Sequence, residues 1–266
     1  MFPRRHPILF SLLVVIAFLG LLLGPDFLFN GKSYYFIEGY GAVQRLVIGF
    51  LALFAISRLG WTDSAGIRRL GNARAWLIVI PPLVYLGAIY PYMFTGSWAP
   101  NLHEPKLTAL VGIDAFAEGA LEELIFRALI FWAFVEAWGP GRAAIVKAGF
   151  VSSIFFALPH LTNMLFGQQP LRVIAQVGWA YILGVAIAWL YYTGRSIWPA
   201  AFLHGGLDAV VAMNRMGMKI VLTPAKGLIM AAIAIPVLVY AWLVLRNAKP
   251  LVRPVGFEPT TFSSGG

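Results

Sequence analysis

The sequence predicts an all-α, polytopic membrane protein of about eight transmembrane helices. Mean hydropathy is +0.79. Hydrophobic residues make up 60% of the chain and charged residues only 12%, too few to clothe a soluble domain in polar surface. Apolar runs long enough for a bilayer core, roughly 20 residues each, recur from one end to the other.

The spans fall near 8–28, 41–57, 75–96, 107–138, 143–166, 171–193, 197–213 and 228–246. The first follows a basic start, MFPRRHP, but the residues after it, GPDFLFNG, offer no small-x-small cleavage site, so it reads as a retained span. Its GLLLG stretch at 20–24 fits a helix-packing face. The second and seventh spans are short. The fourth is long enough to tilt or to project into water. No internal repeat and no soluble domain are discernible.

Basic residues set the expected orientation. With the N-terminus inside, twelve Lys and Arg, from Arg4 and Arg5 to Arg253, fall on the cytoplasmic side. Six fall outside: Lys32, Lys106, Arg172, Arg215, Lys219 and Lys226. Arg45 and Arg127 remain in or near spans. Both termini are therefore expected in the cytoplasm. The net charge of +9 is explained by basic loops that hold topology, and no nucleic-acid partner is expected. The loop from Arg58 to Arg74 either fixes topology or holds anionic lipid. The absence of cysteine excludes disulfides, thiol catalysis and thiolate metal sites.

The C-terminal stretch PVGFEPTTFSSGG is polar and lacks helical periodicity. GFEPTT is what translation of a tRNA-gene T-arm would give, so residues 251–266 are expected to be a disordered tail, read through from a neighbouring gene or out of frame. The same tail on close relatives without an adjoining tRNA gene would sink that reading. Together with the high Ala, Gly, Arg and Trp content, it suggests a GC-rich bacterial source and hence a bacterial plasma membrane.

Span four contains EGALEELIFRALIF, residues 118–131. An ionisable side chain at mid-bilayer costs roughly 2.5–3.5 kcal/mol on insertion scales, and this stretch carries four. Glu118 and Glu122 share one helix face, and Glu123 and Arg127 are placed for an intrahelical ion pair. Glu122 is rotated about 100° from Glu123, so one carboxylate can be neutralised while its neighbour stays available.

Spans five and seven carry matching groups. FFALPH puts Phe156 four residues before His160, with Pro159 distorting the turn between them. HGGLD puts His204 and Asp208 on one face, with Pro199 near the helix start. His160 lies deeper in its span than His204 does, a mismatch that a tilted or late-starting fifth helix would reconcile. Two imidazoles and a carboxylate suit Zn²⁺ with an open position for water, and a glutamate beside it acts as general base. A metal-free route is equally open: Glu122 activates water, while the histidines and Asp208 stabilise the oxyanion.

These three motifs resemble the CAAX protease and bacteriocin-processing (CPBP) family of intramembrane endopeptidases, the type II CAAX prenyl endopeptidase or abortive-infection type. Its EExxxR matches Glu122–Arg127, its FxxxH matches Phe156–His160, and its HxxxN/D matches His204–Asp208. The resemblance covers roughly residues 105–213. It implies an eight-helix fold with a catalytic cavity inside the membrane. It implies Glu122 as water-activating base, with Glu123 and Arg127 ordering the helix and cavity. His160, His204 and Asp208 then bind metal or the oxyanion, with Glu122, His160, His204 and Asp208 as the metal set. Asp208 stands where the family frequently has Asn. An ionised Asp cannot donate to an oxyanion, which leans towards the metal. On this reading residues 1–104 are N-terminal spans and 105–250 the catalytic core. The substrate is a membrane-embedded or lipidated peptide.

Two further readings stand beside this one. A catalytically idle immunity or peptide-binding protein would keep full biological activity in Glu122→Gln. A transporter relaying protons through Glu118 and Glu122 would show uptake in liposomes that survives loss of both histidines.

Overall fold

A computed structural model describes residues 1–23, 33–95, 104–215 and 224–248. Among these residues every element is helical and no strand occurs. Local chemistry sets many of the boundaries. Helices α1 (Phe2–Arg5) and α2 (Pro7–Leu23) form the first rod, and α3 (Tyr34–Arg58) the second. Ser33 Oγ accepts the Phe36 N–H at 3.3 Å, satisfying a donor left open at the start of α3. In the third rod, α4 (Ala73–Leu77) begins with the Asn72 side chain accepting the Ala75 N–H at 3.0 Å. It is broken from α5 (Ile80–Thr95) where Pro81 and Pro82, lacking N–H groups, cannot continue the α4 ladder but fit a new first turn.

The fourth rod starts with Pro105 in the first turn of α6 (Pro105–Glu123). It unwinds into a π-helical stretch, Leu124–Phe131, and resumes as α7 (Trp132–Trp138). The fifth comprises α8 (Arg142–Ala157) and a 3₁₀ stretch, Leu158–Met164. Pro159 thus ends the α-helix instead of bending it from within. Then follow α9 (Pro170–Gly194), α10 (Ile197–Arg215), with Pro199 in its first turn, and α11 (Pro224–Arg246).

Among the described residues the helices group into rods that lie near the expected spans. Four of them, around Tyr35–Arg58, Arg142–Met164, Pro170–Gly194 and Lys226–Arg246, are long and apolar enough to cross a membrane. Pro7–Leu23 and Ala73–Ile89 are shorter apolar helices. Length and apolarity therefore establish four of the eight expected crossings. Large apolar side chains point outward along α3 (Leu46, Phe50, Phe54) and α11 (Leu228, Ile235, Val239). Such a surface suits lipid and not water. The protein is a multi-pass membrane protein.

The fourth rod runs through the core. All eight residues of its π stretch are buried. Helix α10 lies along α6, α3 also packs on α6, and α9 packs against both α8 and α11. Gly20 has open space around it, so the expected packing face at 20–24 is not formed there; Gly24 lies outside the described residues, as does the 251–266 tail.

Candidate active site

Close approach of α6 and α10 brings the first and third motifs together. A Cβ on Gly119 would sit 2.8 Å from the Gly205 backbone, and one on Gly205 would sit 2.5 Å from the Phe116 carbonyl oxygen. Only glycine at both positions lets the two backbones touch. The contact lies one turn before Glu122–Glu123 and beside His204.

Glu123 is fully buried and Arg127 is 1% exposed. Arg127 Nε lies 3.1 Å from Glu123 Oε2, an ionic contact in which the N–H is not aimed at the oxygen. The guanidinium also stacks over the Phe156 ring at 4.4 Å and donates from Nη2 to the Gly184 carbonyl at 3.5 Å. The expected intrahelical pair is present. A second bond spans 81 positions and was not foreseen: His204 Nδ1 lies 2.8 Å from the other oxygen, Glu123 Oε1. Glu123 therefore joins Arg127 to His204. With Nδ1–H donated to Glu123, the ring is oriented and its Nε2 faces the cavity side.

There Nε2 lies 3.7 Å from Glu122 Oε2 and 3.4 Å from Asp208 Oδ2. His160 Nδ1 sits 3.2 Å from the Phe156 carbonyl, which accepts its N–H. The Phe156 ring stands between the two imidazoles, its centroid 5.5 Å from each. Phe156 is thus both a core residue and a wall of the site. Since α8 begins at Arg142, the fifth helix does not start late. Both histidines nonetheless line one cavity, of about 340 Å³, together with Glu118, Glu122, Phe156 and Asp208. Asn163, Gln168, Arg172 and Gln176 give part of its wall polar character, with Asn163 Nδ2 donating to Gln176 Oε1 at 3.0 Å.

A neighbouring ion cluster escaped sequence reasoning. Arg45, on α3, places Nη1 2.9 Å from Asp114 Oδ1 and Nη2 2.9 Å from Glu118 Oε2. Glu118 thus lines the cavity already paired. The signal was present as a lone arginine in one apolar span and two carboxylates four apart in another, but nothing in the sequence matched them.

Imidazole and carboxylate are donors that suit Zn²⁺. Among the described residues, however, no three His, Asp or Glu side chains are grouped closely enough to hold a metal ion, and His204 Nδ1 is engaged by Glu123.

Residues 104–210 match the family model of the Rce1-like type II CAAX prenyl endopeptidases. The matched segment contains all three motifs, in agreement with the CPBP resemblance read from them. No curated protein and no solved structure matches the chain.

Proposed function

From its Rce1-like type II CAAX prenyl endopeptidase domain at residues 104–210, we propose that the chain is an intramembrane endopeptidase. It hydrolyses a peptide bond in a membrane-embedded or lipidated peptide. One observation carries the assignment of roles. Of two consecutive glutamates, Glu123 is held by Arg127 and His204 on its two oxygens, whereas Glu122 borders the cavity beside His204 Nε2.

Glu122 is the general base: it takes a proton from water, and the oxygen attacks the scissile carbonyl. Glu123 fixes the His204 ring, so that Nε2 meets the developing oxyanion as a donor when the ring carries its second proton. Asp208, within reach of the same nitrogen, holds that proton in place. His160 has Nδ1 committed to the Phe156 carbonyl, which leaves Nε2 to contact substrate or water. Glu122 then returns its proton to the leaving amine.

The test compares peptide termini in membrane fractions from cells expressing wild type or Glu122→Gln at equal abundance. Termini present only with wild type name substrate and bond together. Identical termini with both proteins folded would reject proteolysis by Glu122 and favour the idle-binder reading. On a second reading Glu122, His160, His204 and Asp208 would draw together around a Zn²⁺ ion, which would supply a Lewis acid to activate water; as described, no three of them are grouped closely enough to hold it. Zinc purifying with the protein in stoichiometric amount, and lost in His204→Ala, would establish it; background metal content would remove it.

A further inference from the structure

A second cavity lies apart from the one that holds the glutamates. A space of about 580 Å³ lies between the loop before α4 and the α9–α10 turn, and Arg69, Arg74 and Arg195 line it. Among the described residues no carboxylate lines it. The loop's single acid, Asp63, is paired with Arg68 at 3.3 Å. Three arginines therefore border one space where the described residues supply no carboxylate, and a guanidinium is a planar fork that matches phosphate oxygens.

Topology alone would ask only that these arginines be near the membrane surface. Here the loop is bolted in place. Ser196 Oγ donates to the Arg69 carbonyl at 2.5 Å, Trp198 Nε1 to the Ile67 carbonyl at 2.8 Å, and Tyr191 Oη to the Ala65 carbonyl at 2.9 Å. Gly66, at φ 69°, comes so close that a Cβ would lie 2.6 Å from the Arg195 carbonyl oxygen. Arg195 itself takes the left-handed conformation, φ 56°, at the end of α9, a position that glycine usually fills. Four independent contacts thus set the mutual placement of Arg69 and Arg195.

We propose that this cavity binds a phosphate-bearing ligand, with the three arginines as its anion clamp. A phospholipid headgroup and a soluble phosphate share that chemistry. The side expected to face the cytoplasm is the one where anionic lipids attract basic groups, and Leu70, which lines the cavity and is 74% exposed, offers apolar surface to an acyl chain. The site is separate from the glutamates, and its assignment does not depend on the proteolytic reading.

The experiment is native mass spectrometry and thermal unfolding of the full-length protein. Probes are phosphatidylglycerol, phosphatidylcholine and inorganic phosphate. Variants are Arg69→Gln/Arg74→Gln/Arg195→Gln, with Arg68→Gln as control. The expected result is preferential retention of phosphatidylglycerol over phosphatidylcholine, weakened roughly tenfold or more in the triple variant and unchanged in the control. Stabilisation by inorganic phosphate with no lipid preference would assign the same clamp to a soluble ligand. Equal retention of both lipids with no phosphate effect would overturn the proposal, as would a triple variant that behaves like wild type. If the triple variant fails to fold, competition between inorganic phosphate and phosphatidylglycerol on wild type and on Arg74→Gln decides: no competition, or none changed by Arg74→Gln, overturns it.

Discussion

Replacing Gly205 by alanine should uncouple the catalytic groups without touching one of them. The new Cβ would lie 2.5 Å from the Phe116 carbonyl oxygen, where ordinary contact begins at 3.4 Å. The difference, 3.4 minus 2.5, means that α10 must withdraw from α6 by about 0.9 Å. Overpacking of that kind costs about 1–3 kcal/mol. A displacement near 1 Å at the chemistry costs on the order of 100-fold in rate, because His204 on α10 and Glu122–Glu123 on α6 move apart together. Gly206→Ala supplies the control from the same helix, since a Cβ there meets only Leu83 Cδ1 at 3.8 Å. Thermal unfolding and the rate of appearance of wild-type-specific termini are measured for both. If Gly205→Ala melts and cleaves as Gly206→Ala does, the close helix crossing does not set the site.

Other expectations follow from the same geometry. Glu122→Gln should keep its melting temperature and lose roughly 10²–10⁴-fold in cleavage, the range for a general base. Arg127→Met leaves Glu123 buried with only His204 as partner and should destabilise the fold by about 3–5 kcal/mol. The double variant Arg127→Met/Glu123→Gln should recover part of that loss, and a double-mutant cycle of unfolding free energies measures it. Arg45→Gln should destabilise less than Arg127→Met, because the Glu118 side chain is 39% exposed and water screens it; chemical denaturation of the two variants gives the order.

The rods were legible because hydropathy repeats on the scale of the bilayer, and Pro81–Pro82 could have marked the break between Leu77 and Ile80. The three motifs were legible because charge in an apolar span stands out. What could not be read were partners distant in sequence. Arg45 meets Asp114 and Glu118 across 69 and 73 positions, and spacing carries no information about such a pairing. Glu123 was assigned its near partner, Arg127, since i,i+4 geometry is local. Its bond to His204 depends on how α6 crosses α10, which the glycine pair sets. The π stretch left no trace either, since LIFRALIF suits an α-helix equally well.

That stretch also separates two tasks within a single rod. A rod wound as α from Pro105 to Trp138 would keep one phase, and any change that turned its anchoring end would turn the carboxylates too. Eight residues of wider winding break the phase. The half that ends in Glu122–Glu123 is aimed at α10, whereas the Trp132–Trp138 half is aimed at α8. The aromatic end can therefore be repacked against a different neighbour while the carboxylates hold their bearing, so drift in one half need not disturb the other.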